Sequence, residues 1–206
     1  MRASELIKSF SQSYKLPVEI DDVIRFMQEK LGITDEIYPF WDIELDVGTL
    51  QGYCHREEIP TGRGSVYHMT TIGYAKSGHE MERLVACKEL LHILDPHACR
   101  VSTGDAVYAL ISKIALRADL IEPFSQKDHD SDRVAALEAL AILFPLAARN
   151  ELMKYYKSGE LSLAKIAELT ELPESYVAYV LDDSWPDIHD ILLRGREHRE
   201  NHDGKE

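Results

Sequence analysis

An α+β fold, with a small antiparallel sheet beside a mainly helical bundle, is what this 206-residue chain predicts. Three observations predict it. Apolar residues recur at helical spacing before Gly32; between Phe40 and Lys76 the texture turns aromatic, β-branched and alternating; after Glu80 helical spacing returns and persists. The length suffices for one substantial core, so we expect a single domain over residues 1–183, then a C-terminal helix and disordered tail over 184–206.

Each element has a local reason. Ser4 to Tyr14 reads as a first helix, and Ile20 to Leu31 as a second, with Ile20, Val23, Ile24, Met27 and Leu31 on one stripe and Gly32 stopping the run. Three strands follow, Trp41 to Val47, Thr49 to Arg56 and Ser65 to Tyr74, separated by Gly48 and by the turn Pro60 to Gly64. Ser77-Gly78-His79-Glu80 starts a mostly buried helix over Met81 to Asp95. Beyond it we expect a helix from Gly104 to Arg117, an acidic loop from Gln126 to Asp132 and an almost wholly apolar helix from Ala135 to Phe144. Pro145 then opens the next helix at its first position, where its missing amide hydrogen costs nothing. Leu161 to Leu181 reads as two short helices with a turn near Leu172-Pro173.

Charge and cysteine usage exclude several function classes. The formal charge of −13 argues against duplex DNA or an anionic membrane as partner, because both need a basic patch. Cys54, Cys87 and Cys99 are odd in number and unpaired in spacing, so neither a disulfide framework nor a zinc ribbon is expected, and a reducing cytoplasm fits. Met1 to Lys15 lacks the apolar core of a signal peptide, and the apolar stretch from Ala135 to Ala148 is broken by Glu138 and Pro145.

The chemistry concentrates at Lys88-Glu89-Leu90-Leu91-His92, an H-E-x-x-H helix signature with lysine in place of its first histidine. In the intact motif two histidines four apart bind zinc from one helix face, and the glutamate takes a proton from the metal-bound water. A protonated lysine has no lone pair to give a metal. Lys88, His92 and Asp95 are expected to share a polar strip on an otherwise apolar helix.

The order of a β-rich meander, this helix and a later helix resembles the ImmA/IrrE family of metallopeptidase-like, zincin-fold proteins. That family pairs H-E-L-x-H with a downstream E-x-x-A-N helix ending in L-L-M-P; here the second element reads Asp132-Arg-Val-Ala135-Ala136, ending in Ile142-Leu143-Phe144-Pro145. The resemblance implies that Glu89 matches the general base, His92 the second zinc ligand and Asp132 the third, normally glutamate. Lys88 sits where the first ligand belongs. Aspartate is also one methylene shorter than glutamate, so it reaches less far toward a metal about 2 Å from its ligands. The resemblance further implies a cytoplasmic regulatory peptidase that cuts a repressor or antitoxin-like partner, an activity that Lys88 puts in doubt. We therefore expect a degenerate site that binds such a partner with weak or no peptidase activity and without zinc, bound zinc being the alternative.

Other readings stand beside this one. An active zinc endopeptidase would bind its ion through His92, Asp132 and Glu138. Asp132 or Ser131 could instead cap the apolar helix, and Glu138, inside that helix, needs a partner such as Lys88 or His92. Lys88 could equally bury its stem and send its ammonium to solvent. The pair His97 and Cys99 and the histidines His189, His198 and His202 match no coordinated set, and Cys87 is expected to be a buried, inert thiol. Ile166 to Leu181 has a helix-turn-helix rhythm, but its second helix offers Glu174, Ser175, Tyr176 and Tyr179 where phosphate contacts need basic groups, so it reads as a packing or protein-binding unit.

Overall fold

A computed structural model describes residues 3–46, 51–61, 64–94 and 126–194, with the backbone alone for 126–133. The expected helix from Gly104 to Arg117, the pair His97 and Cys99, Asp95 and the tail beyond Arg194 lie outside the described residues. The chain gathers into two compact units, Ile20–Ala136 and Met1–Glu19 with Leu137–Glu206. It is α+β, with eight helices and three strands among the described residues. None of these helices is long and apolar enough to cross a membrane.

The first unit holds α2 (Ile20–Lys30), β1 (Glu36–Trp41), β2 (Gly52–Pro60), β3 (Val66–Tyr74) and α3 (His79–Leu91), with a 3₁₀ turn over His92–Leu94. The sheet is mixed, not antiparallel. Its order is β1-β3-β2; β2 pairs antiparallel with β3 across the turn closed by Thr61 and Ser65, and β1 pairs parallel with β3. The chain leaves β1, lays β2 two positions away and returns β3 between them. Strand texture marks which residues are extended and which face is apolar, but it does not encode this order.

β1 also lies upstream of its expected place, ending at Trp41 rather than beginning there. The cause is Asp42, whose Oδ1 accepts the Glu44 N–H at 3.0 Å while its carbonyl accepts the Leu45 N–H at 3.3 Å. An aspartate that bonds the backbone two residues on turns the chain instead of extending it.

Helix α3 is fastened to one sheet face at its start and along its length. Gly78 precedes it at φ 103°, a conformation suited to glycine, and so cannot offer a capping side chain. Glu82 supplies the cap from inside the helix: its Oε1 accepts the N–H groups of Ser77 and Gly78, each at 3.1 Å, and its Oε2 accepts the Trp41 indole N–H at 3.0 Å. Lys76 lies over the same indole, 5.4 Å from its centroid. Further along, β2 approaches so closely that a Cβ on Gly52 would sit 2.6 Å from Val85 Cγ1 and 3.0 Å from Glu89 Cγ. On the same face Ile72 and Thr70 are fully buried.

The second unit contains α1 (Ala3–Phe10), the end of α4 (Gln126–Leu143), then α5 (Leu146–Ser158), α6 (Leu163–Thr170), α7 (Glu174–Leu181) and α8 (Trp185–Arg194). The expected acidic loop over 126–132 is helical, because α4 starts about nine residues before its apolar run. Pro145 stands one residue earlier than expected, as the cap before α5. Gly159 at φ 78° ends α5, Ser162 Oγ accepts the Lys165 N–H at 3.2 Å to cap α6, and α6 and α7 form the expected short pair. Ile7, Leu143, Phe144, Ile166, Val177 and Trp185 form a fully buried core.

Trp185 and His189 lie one turn apart on α8, 0 % and 1 % exposed, and neither the indole N–H nor either imidazole nitrogen has a hydrogen-bond partner among the described residues. Burial holds the His189 pKa below its ordinary 6.5, opposed only in part by Asp190. The unfolded chain therefore takes up a proton near pH 6.5 while the folded chain still resists it. Stability is unaffected above that pH and falls as pH drops from there to the folded pKa. A His189→Leu variant, compared with the parent by urea denaturation at pH 7.5 and pH 5, is expected to show the smaller acid loss.

Candidate functional site

The site sits on α3, whose nearly complete burial follows from packing on the sheet with α2 alongside. Leu84, Val85, Cys87, Leu90 and Leu91 are buried, leaving Lys88 and His92 as the partly exposed polar positions at its C-terminal end. Glu89 lies between them in space and is 4 % exposed. Its position depends on Gly52, since a side chain there would occupy the space that the Glu89 stem uses.

Lys88 Nζ lies 2.8 Å from Glu89 Oε1, and His92 Nε2 lies 3.8 Å from Glu89 Oε2. Consecutive helical residues do not ordinarily face each other. The long lysine chain overcomes this by folding back, so its ammonium meets the carboxylate in a charge-assisted contact. The His92 distance exceeds a hydrogen bond but lies within ion-pair range when the ring is protonated. The structure thus gathers three of the sequence-predicted residues, Lys88, Glu89 and His92, around one buried carboxylate. The lysine head is engaged with that carboxylate, and the reading in which it simply reaches solvent is set aside.

The two remaining residues are placed differently. Asp132 is the seventh residue of α4, not its cap, because the helix begins at Gln126; its side chain lies outside the described residues. Glu138, on the same helix, belongs to the other unit, is 8 % exposed and is in polar contact. Among the described residues no three of His, Cys, Asp and Glu converge as a metal-holding group. Cys87, next to the motif, is fully buried; burial pushes its thiol up to about 12, opposed by the charge of Arg83, so it is unreactive at neutral pH.

Residue spacing did not reveal a buried polar cluster around Asp35. Asp35, 3 % exposed, accepts from Arg56 Nη2 at 2.7 Å and from Thr70 Oγ1 at 2.7 Å, Arg56 Nε lies 2.6 Å from its other oxygen, and its carbonyl accepts from Gln28 Nε2 at 3.1 Å. Burial alone would raise the Asp35 pKa; the bonds from Arg56 and Thr70 and the Arg56 charge overcome it and hold the carboxyl below its ordinary 3.8. The cluster ties α2, β1, β2 and β3 together on the α3 side of the sheet. A lone aspartate before an aromatic strand was its only signal in the sequence.

A second cluster lies in the helical unit, where the buried Arg149 reaches the C-terminal end of α7. Its Nε donates to the Val180 carbonyl at 3.1 Å, and its Nη2 donates to those of Leu181 at 3.4 Å and Asp182 at 2.7 Å. A cation at the carboxyl end of a helix meets otherwise unpaired carbonyls and the negative end of its dipole. On the solvent side α7 presents Glu174, Ser175 and Tyr179, and the Tyr179 ring packs edge-to-face on Trp185 with centroids 5.7 Å apart. Against protein-family models, curated proteins and solved structures alike, this chain finds no match.

Proposed function

We propose that this chain is a regulatory protein of the ImmA/IrrE metallopeptidase-like, zincin-fold kind, in which an ion pair replaces the metal centre. It acts in the cytoplasm by holding a partner regulator, a repressor or antitoxin-like protein, without hydrolysing it efficiently. The observation that carries this reading is the 2.8 Å contact between Lys88 Nζ and Glu89 Oε1. A peptidase glutamate must be free to take a proton from water. Glu89 instead faces the ammonium of the residue that stands in the first ligand position.

The donor set speaks against zinc. An ammonium paired with a carboxylate offers no lone pair, and its positive charge already compensates the carboxylate that a metal would otherwise stabilise. Retaining Glu89 and His92 then serves to shape a polar, enclosed patch rather than a reaction. The alternative of an active peptidase, binding its ion through His92, Asp132 and Glu138, needs Glu89 free to act as the base, and the Lys88 ammonium engages it.

The test is zinc content by elemental mass spectrometry in the parent and in a Lys88→His variant purified identically. The parent is expected to carry no stoichiometric zinc, and the variant to gain up to one ion per chain. Near-stoichiometric zinc in the parent overturns the proposal. In the parent, binding of a candidate repressor is expected to be unchanged by a chelator.

A further inference from the structure

The sheet has a second face. Side chains alternate along each strand, so the face opposite α3 carries Tyr38 and Phe40 of β1, Tyr53 of β2 and Tyr67 of β3. Three of these rings are open to solvent: Tyr38 is 50 %, Phe40 39 % and Tyr67 38 % exposed. Phe40 and Tyr53 both stand opposite Gly73, from strands on either side of it, and their rings meet edge-to-face with centroids 6.4 Å apart. A Cβ at Gly73 would fall 2.4 Å from the Tyr53 ring, so the glycine is what lets the two aromatics close over the central strand.

Carboxylates border these rings. Tyr38 donates its hydroxyl to Glu36 at 2.8 Å, and Tyr53 donates its hydroxyl to Asp42 at 2.9 Å. Burial first, then the Asp42 bond and the charges of Asp42 and Glu44, raise the Tyr53 pKa. Glu57, on β2, contacts His55 at 2.9 Å. Of the neighbouring cations, Arg56 points to the opposite face to bind Asp35, and Lys76 covers Trp41. No lysine or arginine alternates onto this face from the three strands.

Aromatic rings edged by carboxylates attract one chemistry above others, the guanidinium or ammonium of a flexible side chain. We propose that this face docks a cationic polypeptide segment of a partner protein, with arginine or lysine side chains lying over Tyr38 and Phe40 and paired with Glu36 and Asp42. The charge complementarity is local to the strands, so the proposal does not rest on the reading of the α3 site. A nucleic acid backbone or an anionic membrane meets the same carboxylates and is repelled.

The probe is nona-arginine, titrated into the full chain by calorimetry at about 0.15 M salt, where the Debye length is about 8 Å and remote charges are screened. Three proteins are compared: the parent, a charge-neutral Tyr38→Ser/Phe40→Ser variant, and a Glu160→Gln/Glu174→Gln control in the other unit. Binding to the parent is expected, weakened about tenfold in the face variant and within about twofold of the parent in the control. No binding to the parent, or equal binding to the face variant, overturns the proposal; equal binding would mean only the diffuse field of the −13 charge acts. Should the double variant unfold by circular dichroism, Tyr38→Ser alone, at a half-exposed position, provides the same comparison with at least a threefold weakening expected.

Discussion

Replacing Asp35 by alanine is expected to lower the unfolding free energy by about 3 kcal/mol, the scale of breaking a largely buried ion pair from one side. The loss has two parts. Arg56, with its side chain 18 % exposed, keeps a desolvated charge with no carboxylate, and Thr70, fully buried, loses its acceptor. Urea denaturation at pH 7 measures the effect. An Asp35→Leu/Arg56→Met pair is expected to recover most of it, because removing both charges removes the uncompensated one. If Asp35→Ala costs less than about 0.5 kcal/mol, within the range of ordinary surface substitutions, the cluster contributes little to holding the sheet.

The same residue sets an acid limit. Its folded pKa is held below the ordinary 3.8, so the native state favours the ionised form. The stabilisation is fully present above the unfolded pKa and is lost as pH falls through the folded value. The parent is expected to lose stability as pH falls from the unfolded carboxylate value of about 4 through the lower folded one, and Asp35→Asn less over the same interval. His189 acts in a higher window, near and below pH 6.5, through a base whose burial disfavours its charged form. The two losses therefore begin at different pH.

Arg149→Ala is expected to destabilise the helical unit by about 3 kcal/mol. A charged donor to a backbone carbonyl contributes about 1.5–3 kcal/mol, and Arg149 reaches three carbonyls at the end of α7 while 6 % exposed. Losing it leaves those carbonyls short of donors in a place water does not easily enter. Arg149→Lys keeps the charge but not the planar fork, so it is expected to recover less than half of the loss. Denaturation followed by tryptophan fluorescence in a Trp41→Phe background, where Trp185 is the remaining indole, reports on this unit, since α7 packs against the helix that begins at Trp185. A fully stable Arg149→Lys protein would show that charge at the helix end suffices without the geometry.

Much of the architecture was legible locally. The stripe from Ile20 to Leu31, the apolar run on α4 and the rhythm from Leu161 to Leu181 all became helices, because spacing at 3.6 residues per turn is a property of neighbouring residues. The helix start at Ser77-Gly78 and the stop at Gly32 were likewise written in single glycines with positive φ. Lys88, Glu89 and His92 share one helix end, so their proximity followed from the motif once the helix was assumed. The upstream start of α4 was missed because Gln126 to Asp132 is polar, and polar sequence reads as loop unless an adjoining apolar helix extends through it.

Order and partnership needed the tertiary structure. Parallel pairing of β1 with β3 depends on where the chain returns, and no strand records its neighbours in its own alternation. Asp35 meets Arg56 across 21 positions and Thr70 across 35, and Arg149 reaches carbonyls 31 to 33 positions away. Residue types alone established that a zinc ligand is missing at Lys88, because an ammonium has no lone pair in any fold. The Lys88 ammonium reaches Glu89 within one helix, but that Gly52 and Gly73 leave room for Glu89 on one sheet face and for Tyr53 on the other arises from close approach between segments distant in sequence.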